Sequence, residues 1–439
     1  MGSSRSAQRW HNWSRTYSAA PLAVVRPRDV DDVVAALRDA ERDGYRVKAV
    51  GAGHSFTDIA VADGVQVDVS ALDRIRRLDS ATGLVTVEAG ISLHRLSPLL
   101  WSAGLSLSSL GDIDQQSLGG AISTATHGTG LRFGSISSQV RALELVLADG
   151  SVVTCSPDER PDLFHAAMVG LGAFGVITAV TLQCAPAFGL HCLEQPRPLH
   201  DVLERLDELA GSADHVEFFW FPHTDVVLLK QSHRLTAGDP LDPVPQWRAL
   251  LDDEVVANGA LSLICRAGAA MPRSIPRLNR LAGRMLSNRE YSDRSYRVFA
   301  SPRRVRFRET EFGLPRAALP QVLAGIREWL ERPGHGIGFP MEVRFGAPEE
   351  SWLGPAYGRQ TAWLAAHTYH RQPHEAFFRH VGRLADEAAG RPHWGKLHYQ
   401  SAPRLRELYP RFGDALAVRD KVDPGRLFAN DYLNRVLGA

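Results

Sequence analysis

Gly51-Ala52-Gly53-His54-Ser55 arrives directly after an amphipathic stretch at 29–43 and the short run Val47-Lys48-Ala49-Val50, and it restricts the fold more than any other segment. The order predicts a helix, a short strand, and then a loop of nearly bare backbone. Small residues let N–H groups approach a large anionic ligand closely. Among them His54 offers one nucleophilic ring nitrogen. Alone, the pentapeptide equally suits a tight loop whose histidine hydrogen-bonds a neighbouring carbonyl. It is not a Rossmann fingerprint, because the glycines lack G-x-G-x-x-G spacing and no helix signal opens after them. Two later segments reinforce it: the Gly/Ser/Thr-rich run Gly111–Gly130 and the run Gly170–Thr178.

Hydrophobic periodicity supplies the frame. Val30, Val33, Val34, Leu37 and Ala40 recur at helical spacing, with Asp29 placed to cap the N-terminus and Gly44 to end the helix. Strands are expected at Val47–Val50, Val65–Val69, Leu84–Glu88 and Val176–Gln183, and a helix at Ser92–Ser102. Asp149-Gly150 between apolar runs at 143–153 predicts a hairpin. Beyond Pro186 the texture changes, with a helix expected at Val202–Leu209 and paired strands at Val216–Phe221 and Val226–Lys230. Residues 232–300 read as helices and loops. Arg303-Arg304 with Arg306 and Arg308 read as a solvated strand face.

Composition excludes several classes. Among 439 residues, 44% are hydrophobic and 23% charged, with a formal net charge of +1. That is a globular balance with no field favouring nucleic acid or anionic membrane surfaces. The four cysteines, at 155, 184, 192 and 265, form no C-x-x-C pair, so free buried thiols and no metal site are expected. The N-terminus shows no apolar leader, and no run of 18 apolar residues occurs. A cytoplasmic protein without a membrane span is the expectation.

Four blocks in this order, Gly51–Ser55, Ser117–Gly130, Gly172–Thr178 and His393-Trp394-Gly395-Lys396 with Asp423-Pro424-Gly425, resemble the vanillyl-alcohol oxidase and p-cresol methylhydroxylase flavoprotein superfamily. Within it the chain is most similar to sugar-1,4-lactone oxidoreductases (gulono, galactono or arabinono type) and alditol oxidases. Phe56 stands where many animal and plant members carry proline. The resemblance implies an α+β fold: a two-lobed FAD-binding domain over residues 1–185 and an α+β substrate domain with an antiparallel sheet over 186–390. A C-terminal segment, 391–439, would return to the FAD domain. It also implies FAD joined covalently to His54, with Gly51, Ala52, Gly53, Ser55, Ser117, Gly120, Ser123, Thr124, His127, Gly128, Gly175, Val176, Ile177 and Lys396 contacting the cofactor.

The substrate side combines periodicity with resemblance. In Met341-Glu342-Val343-Arg344-Phe345 a strand would place Glu342 and Arg344 on one face. Periodicity alone suggests a surface salt bridge of under about 1 kcal/mol, whereas the resemblance makes Glu342 and Arg344 the polyol-binding pair. Lys396, His398 and Gln400 alternate with apolar residues, which predicts a shared face. By resemblance Lys396 stabilises negative charge on the flavin, Ser117 hydrogen-bonds the reacting hydroxyl, and His393 is structural. Lys396, His398 and Glu342 all remain candidates for the base. The expected activity is oxidation of an alcohol group, with dioxygen or a quinone or cytochrome as acceptor. The alternatives are an alditol oxidase or a non-catalytic carbohydrate-binding relative.

Overall fold

The computed structural model describes residues 9–236, 238–245, 259, 261–300 and 305–439. The helix Val30–Arg42 opens where the Asp29 carboxylate accepts the Asp32 N–H at 2.9 Å, and Gly44 follows its end at φ +72°. It buries Val33, Ala36, Leu37 and Ala40 against a small parallel sheet of strands 23–25, 65–68 and 47–50. A five-stranded antiparallel sheet lies next in the chain, in the order 152–155, 140–146, 176–183, 84–88, 75–79. The hairpin at 149–150 and the helix Leu93–Ser102, capped by Ser92, form as their sequences predict.

An eight-stranded antiparallel sheet carries the rest, in the order 289–294, 189–198, 226–234, 215–220, 341–346, 361–369, 307–315, 391–392. One face packs on the helices Leu319–Leu330 and Glu375–Glu387. Phe218, Phe312, Met341, Val343, Phe345 and Leu364 are buried there with Ile326 and Phe377. The opposite face looks into a cavity and carries the intervening polar residues.

Three expectations change here. The helix expected at 202–209 is two short ones, Leu199–Glu204 and Leu206–Ala210. They begin earlier because Leu199 is already buried with Val202 and Leu206. Within 232–300 the edge strand Arg289–Arg294 forms, which the sequence hides because an edge strand this polar needs no apolar alternation. Residues 393–400 turn instead of extending, starting with the Lys396 N–H to the His393 carbonyl at 3.0 Å. Lys396 and His398 therefore face different surroundings. Arg303 and Arg304 lie outside the described residues.

The chain ends by stitching the parts together. Val47 N–H donates to the Leu427 carbonyl, Phe56 N–H to the Gly395 carbonyl, and the Asn430 amide to the carbonyls of Asp58, Ile59 and Val61. All four cysteines are buried and free. No helix among the described residues is long and apolar enough to cross a membrane.

Candidate active site

Two cavities meet at Gln116, which lines both. The first, about 790 Å³ including its open mouth, is walled by three segments far apart in sequence: 48–55, 116–124 and 171–177. Its walls need glycine. A Cβ on Gly51 would lie 1.9 Å from Ser117 Oγ. The backbone N–H groups of residues 52–55 meet no acceptor among the described residues. Ser117 Oγ is buried without a hydrogen-bond partner. A buried donor left unmade is costly, so these groups are shaped for something the protein itself does not supply.

His54 sits in this wall, stacked on Trp13 with ring centroids 5.9 Å apart. No described residue engages either of its ring nitrogens. Burial first, then the Lys396 charge, push its pKa down to about 4, so the imidazole is neutral and carries a free lone pair at ordinary pH.

The second cavity, about 930 Å³ including its mouth, lies over the polar face of the large sheet. Glu342 and Arg344 project together from the 341–346 strand, 6% and 7% exposed. Arg344 Nη2 lies 2.5 Å from Glu342, its Nε donates to Glu217 at 2.9 Å, and Asp112 lies 3.5 Å away. Glu217 sits directly across the ladder from Arg344 and is paired in turn with Lys230 at 3.1 Å. On the 307–315 strand, Glu309 and Glu311 face the same space. Lys396 Nζ approaches Glu309 at 2.5 Å and Glu311 at 4.0 Å, and sits over the Phe56 ring. His367 lies 3.5 Å from Glu309.

These contacts set the charges. Burial alone would lower the Lys396 pKa, but Glu309 and Glu311 outweigh it and raise it, so Lys396 remains an ammonium donor. Burial also opposes the charge on Glu309, which Lys396 and His367 nonetheless hold below the ordinary carboxylate range. Burial pushes His393 and His398 down to about 3, leaving both neutral.

The structure gathers Gly51, Ala52, Gly53, His54, Ser55, Ser117, Gly120, Ser123, Thr124, Gly175 and Ile177 around the first cavity. Ser123 and Thr124 hydroxyls donate backwards to the carbonyls of Gly119 and Gly120. Glu342, Arg344, Lys396, His127 and His393 line the second cavity. Three named residues lie in neither lining. Val176 is buried against Val47 and Phe428. Gly128 packs where a Cβ would strike the Leu110 carbonyl at 2.4 Å. His398 meets the Tyr432 hydroxyl at 3.0 Å, away from the cavity.

Sequence reading missed Glu217, Glu309, Glu311, His367, Gln116 and Lys48. The strand alternation that marked Glu342 and Arg344 also marks Glu309 and Glu311. The fold also brings His127, Glu311 and His393 within 4.8 Å of one another. Both His127 nitrogens already face oxygen acceptors, Gly128 O at 2.9 Å and Glu311 at 3.0 Å, and His393 Nδ1 accepts the Gly395 N–H at 3.1 Å.

A model of D-arabinono-1,4-lactone oxidase matches residues 180–436, and one of an FAD binding domain matches residues 21–156. The chain belongs to this family of FAD-dependent sugar-lactone oxidases and dehydrogenases. It is 46% identical to an L-gulono-1,4-lactone dehydrogenase of Mycobacterium tuberculosis, over 98% of this chain and 99% of that one. It is 33% identical to the L-gulonolactone oxidase of Mus musculus, over 97% and 98%. With an alditol oxidase of a Streptomyces species it shares 31% over 97% and 98%. Cholesterol oxidase from B. sterolicum has the same fold, with a TM-score of 0.81 at 19% identity over 98% of this chain and 96% of that one. The enzyme is thus an FAD-linked oxidoreductase, and the donor set of the first cavity fits that cofactor: free backbone N–H groups, an orphaned hydroxyl and a free imidazole nitrogen.

Proposed function

We propose that this enzyme oxidises an alcohol group of a neutral sugar-1,4-lactone of the gulono, galactono or arabinono type. In this reading the segments 48–55, 116–124 and 171–177 would hold FAD in the first cavity, with His54 as its tether. Bound FAD supplies the hydride acceptor. The carrying observation is the buried Glu342–Arg344 pair, desolvated on a sheet face that meets the His54–Ser117 wall. Surface pairs contribute little, whereas a buried pair costs desolvation and is retained here beside an open cavity.

Arg344 and Lys396 donate to lactone oxygens, and Glu342 accepts from ring hydroxyls. Lys396, held as an ammonium, is no proton acceptor, and His398 points elsewhere. In this reading the proton of the reacting hydroxyl passes to a carboxylate, Glu342 or Glu309, the latter 3.5 Å from His367. Ser117, with its open Oγ, hydrogen-bonds at the junction. The acceptor is dioxygen or a quinone- or cytochrome-type partner, since relatives carry both oxidase and dehydrogenase names.

The test mixes the purified enzyme anaerobically with L-gulono-, L-galactono- and D-arabinono-1,4-lactone and with xylitol, following loss of yellow colour. Rapid bleaching by a lactone is expected. Bleaching by xylitol alone would favour the alditol reading, and none by any sugar would overturn the proposal. Arg344→Ala and Glu342→Gln should each cut the bleaching rate at least 100-fold with the flavin content unchanged. Peroxide yield against dye reduction then separates the two acceptors.

A further inference from the structure

Lys48 is the one Lys, Arg, Asp or Glu among the described residues lining the first cavity. It belongs to the buried strand Val47–Val50, is 3% exposed, and lines the wall beside Leu171 and Gly172. Of its three N–H donors, one reaches the Leu171 carbonyl at 3.1 Å, and no other described residue accepts from it. A Cβ on Gly172 would sit 3.5 Å from Nζ, so glycine keeps the space beside the ammonium open. The rest of the described lining is uncharged. It consists of glycine, alanine, serine, threonine and aliphatic residues, with Gln116 and the neutral His54, and no aspartate or glutamate.

That charge pattern is incomplete for a dinucleotide. The diphosphate of FAD brings two negative charges into a buried wall, while backbone N–H groups offer only partial ones. A buried charge needs a paired counter-charge. Resting on the reading that FAD occupies this cavity, we propose that Lys48 is the fixed cation of the cofactor site, donating to an oxyanion of the diphosphate. It is a binding residue and takes no part in the substrate's oxidation.

Proton balance follows. Burial first, then Arg419, push the Lys48 pKa down to about 7, and Asp423 pulls the other way. Arg419 and Asp423, at the end of the helix Phe412–Val422, are the charged groups that act on it. Asp423 is already engaged by the N–H groups of Leu427 and Phe428. Without flavin, Lys48 sheds its proton above pH 7. An oxyanion beside it restores the proton, so FAD binding takes up protons there, and affinity falls up to about tenfold per pH unit above 7.

The test uses flavin-free His54→Ala protein from riboflavin-starved cells, in which flavin binding stays reversible. Fluorescence titrations with FAD and with riboflavin, which has no phosphate, compare Lys48 with Lys48→Met and Lys48→Gln. The expected result is an FAD dissociation constant at least tenfold larger in both variants. The riboflavin constant should change less than twofold, and the pH dependence of FAD binding between 7 and 9 should disappear. Retained riboflavin binding also shows that the variants fold. Unchanged FAD affinity, or equal weakening of both ligands, overturns the proposal. Gly51→Ala, which narrows the same cavity, separates the two readings. If it abolishes flavin binding while Lys48→Met does nothing, the cavity stands and Lys48 is only a packing residue. If neither change matters, FAD binds elsewhere.

Discussion

Gly51 and Ser117 compete for one small volume, and at the scale of single residues this contact decides whether the first cavity exists. A methyl on Gly51 would fall 1.9 Å from Ser117 Oγ, beyond what a rotamer change absorbs, because Ser117 is itself 4% exposed. Overpacking of this kind costs about 1–3 kcal/mol, and here it also displaces a hydroxyl aimed at the cavity. Gly51→Ala should therefore leave the purified protein largely colourless, read as the absorbance ratio at 450 and 280 nm (about 450 and 280 nm being general flavin and protein bands). Gly51→Ala with Ser117→Gly should regain flavin, because the obstructing atom is gone. A double variant as colourless as the single would show that Gly51 matters for another reason. The loop Gly51–Ser55 was legible in the sequence because glycine and a lone histidine are rare enough together to signal backbone approach. Lys48, three residues upstream of Gly51, was not: inside an apolar run it looks like an ordinary strand residue, and only the fold shows that it reaches the same wall.

At the scale of elements, the strand 341–346 shows what alternation can and cannot convey. It separated Glu342 and Arg344 from Met341, Val343 and Phe345 correctly. It could not say that the polar face is buried too, which makes a surface salt bridge into a cavity floor. Nor could it supply the partner strands, because ladder register joins residues far apart in the chain, 127 positions for Glu217 and Arg344 and 58 for Glu309 and His367. Glu217 stands across from Arg344 and Glu309 across from His367 only once the sheet is assembled. Glu217 is consequently a positioning residue: it fixes Arg344 from behind while Lys230 neutralises it. Burial opposes its charge, yet Lys230 and Arg344 hold its pKa below the ordinary value. Glu217→Gln strands the buried Lys230, and losing one partner of such a pair costs about 3–5 kcal/mol. The single variant should melt several degrees lower and show a raised KM for lactone. Adding Lys230→Met should recover most of the melting temperature but not the KM, since Arg344 still lacks its rear support. Recovery of both together would mean that Glu217 serves stability alone.

At the scale of the whole molecule, the first cavity is a seam. Its walls come from residues 48–55, 116–124 and 171–177, and the C-terminal segment closes over the first of these through Phe56, Leu427 and Asn430. A ligand in such a seam replaces core contacts that the chain cannot make for itself, so it stabilises the folded state by RT ln(1 + [L]/Kd), about 2.7 kcal/mol at a hundredfold excess over Kd. A tether changes this law. If His54 holds the flavin by a bond, the occupied fraction no longer depends on free FAD. Thermal melts of the wild-type enzyme should then be indifferent to added FAD between 1 and 100 μM (roughly spanning that hundredfold range). In His54→Ala the dependence returns, and the melting temperature should climb by up to about three degrees over the same range, because each kcal/mol shifts a chain of this size by roughly one degree. The neutral, unengaged His54 ring is what makes the bond chemically available, and the melts weigh its consequence for the entire fold. A wild-type melting temperature that rises with FAD as steeply as the variant's would show that the seam is filled by an exchangeable ligand and that His54 only stacks on Trp13.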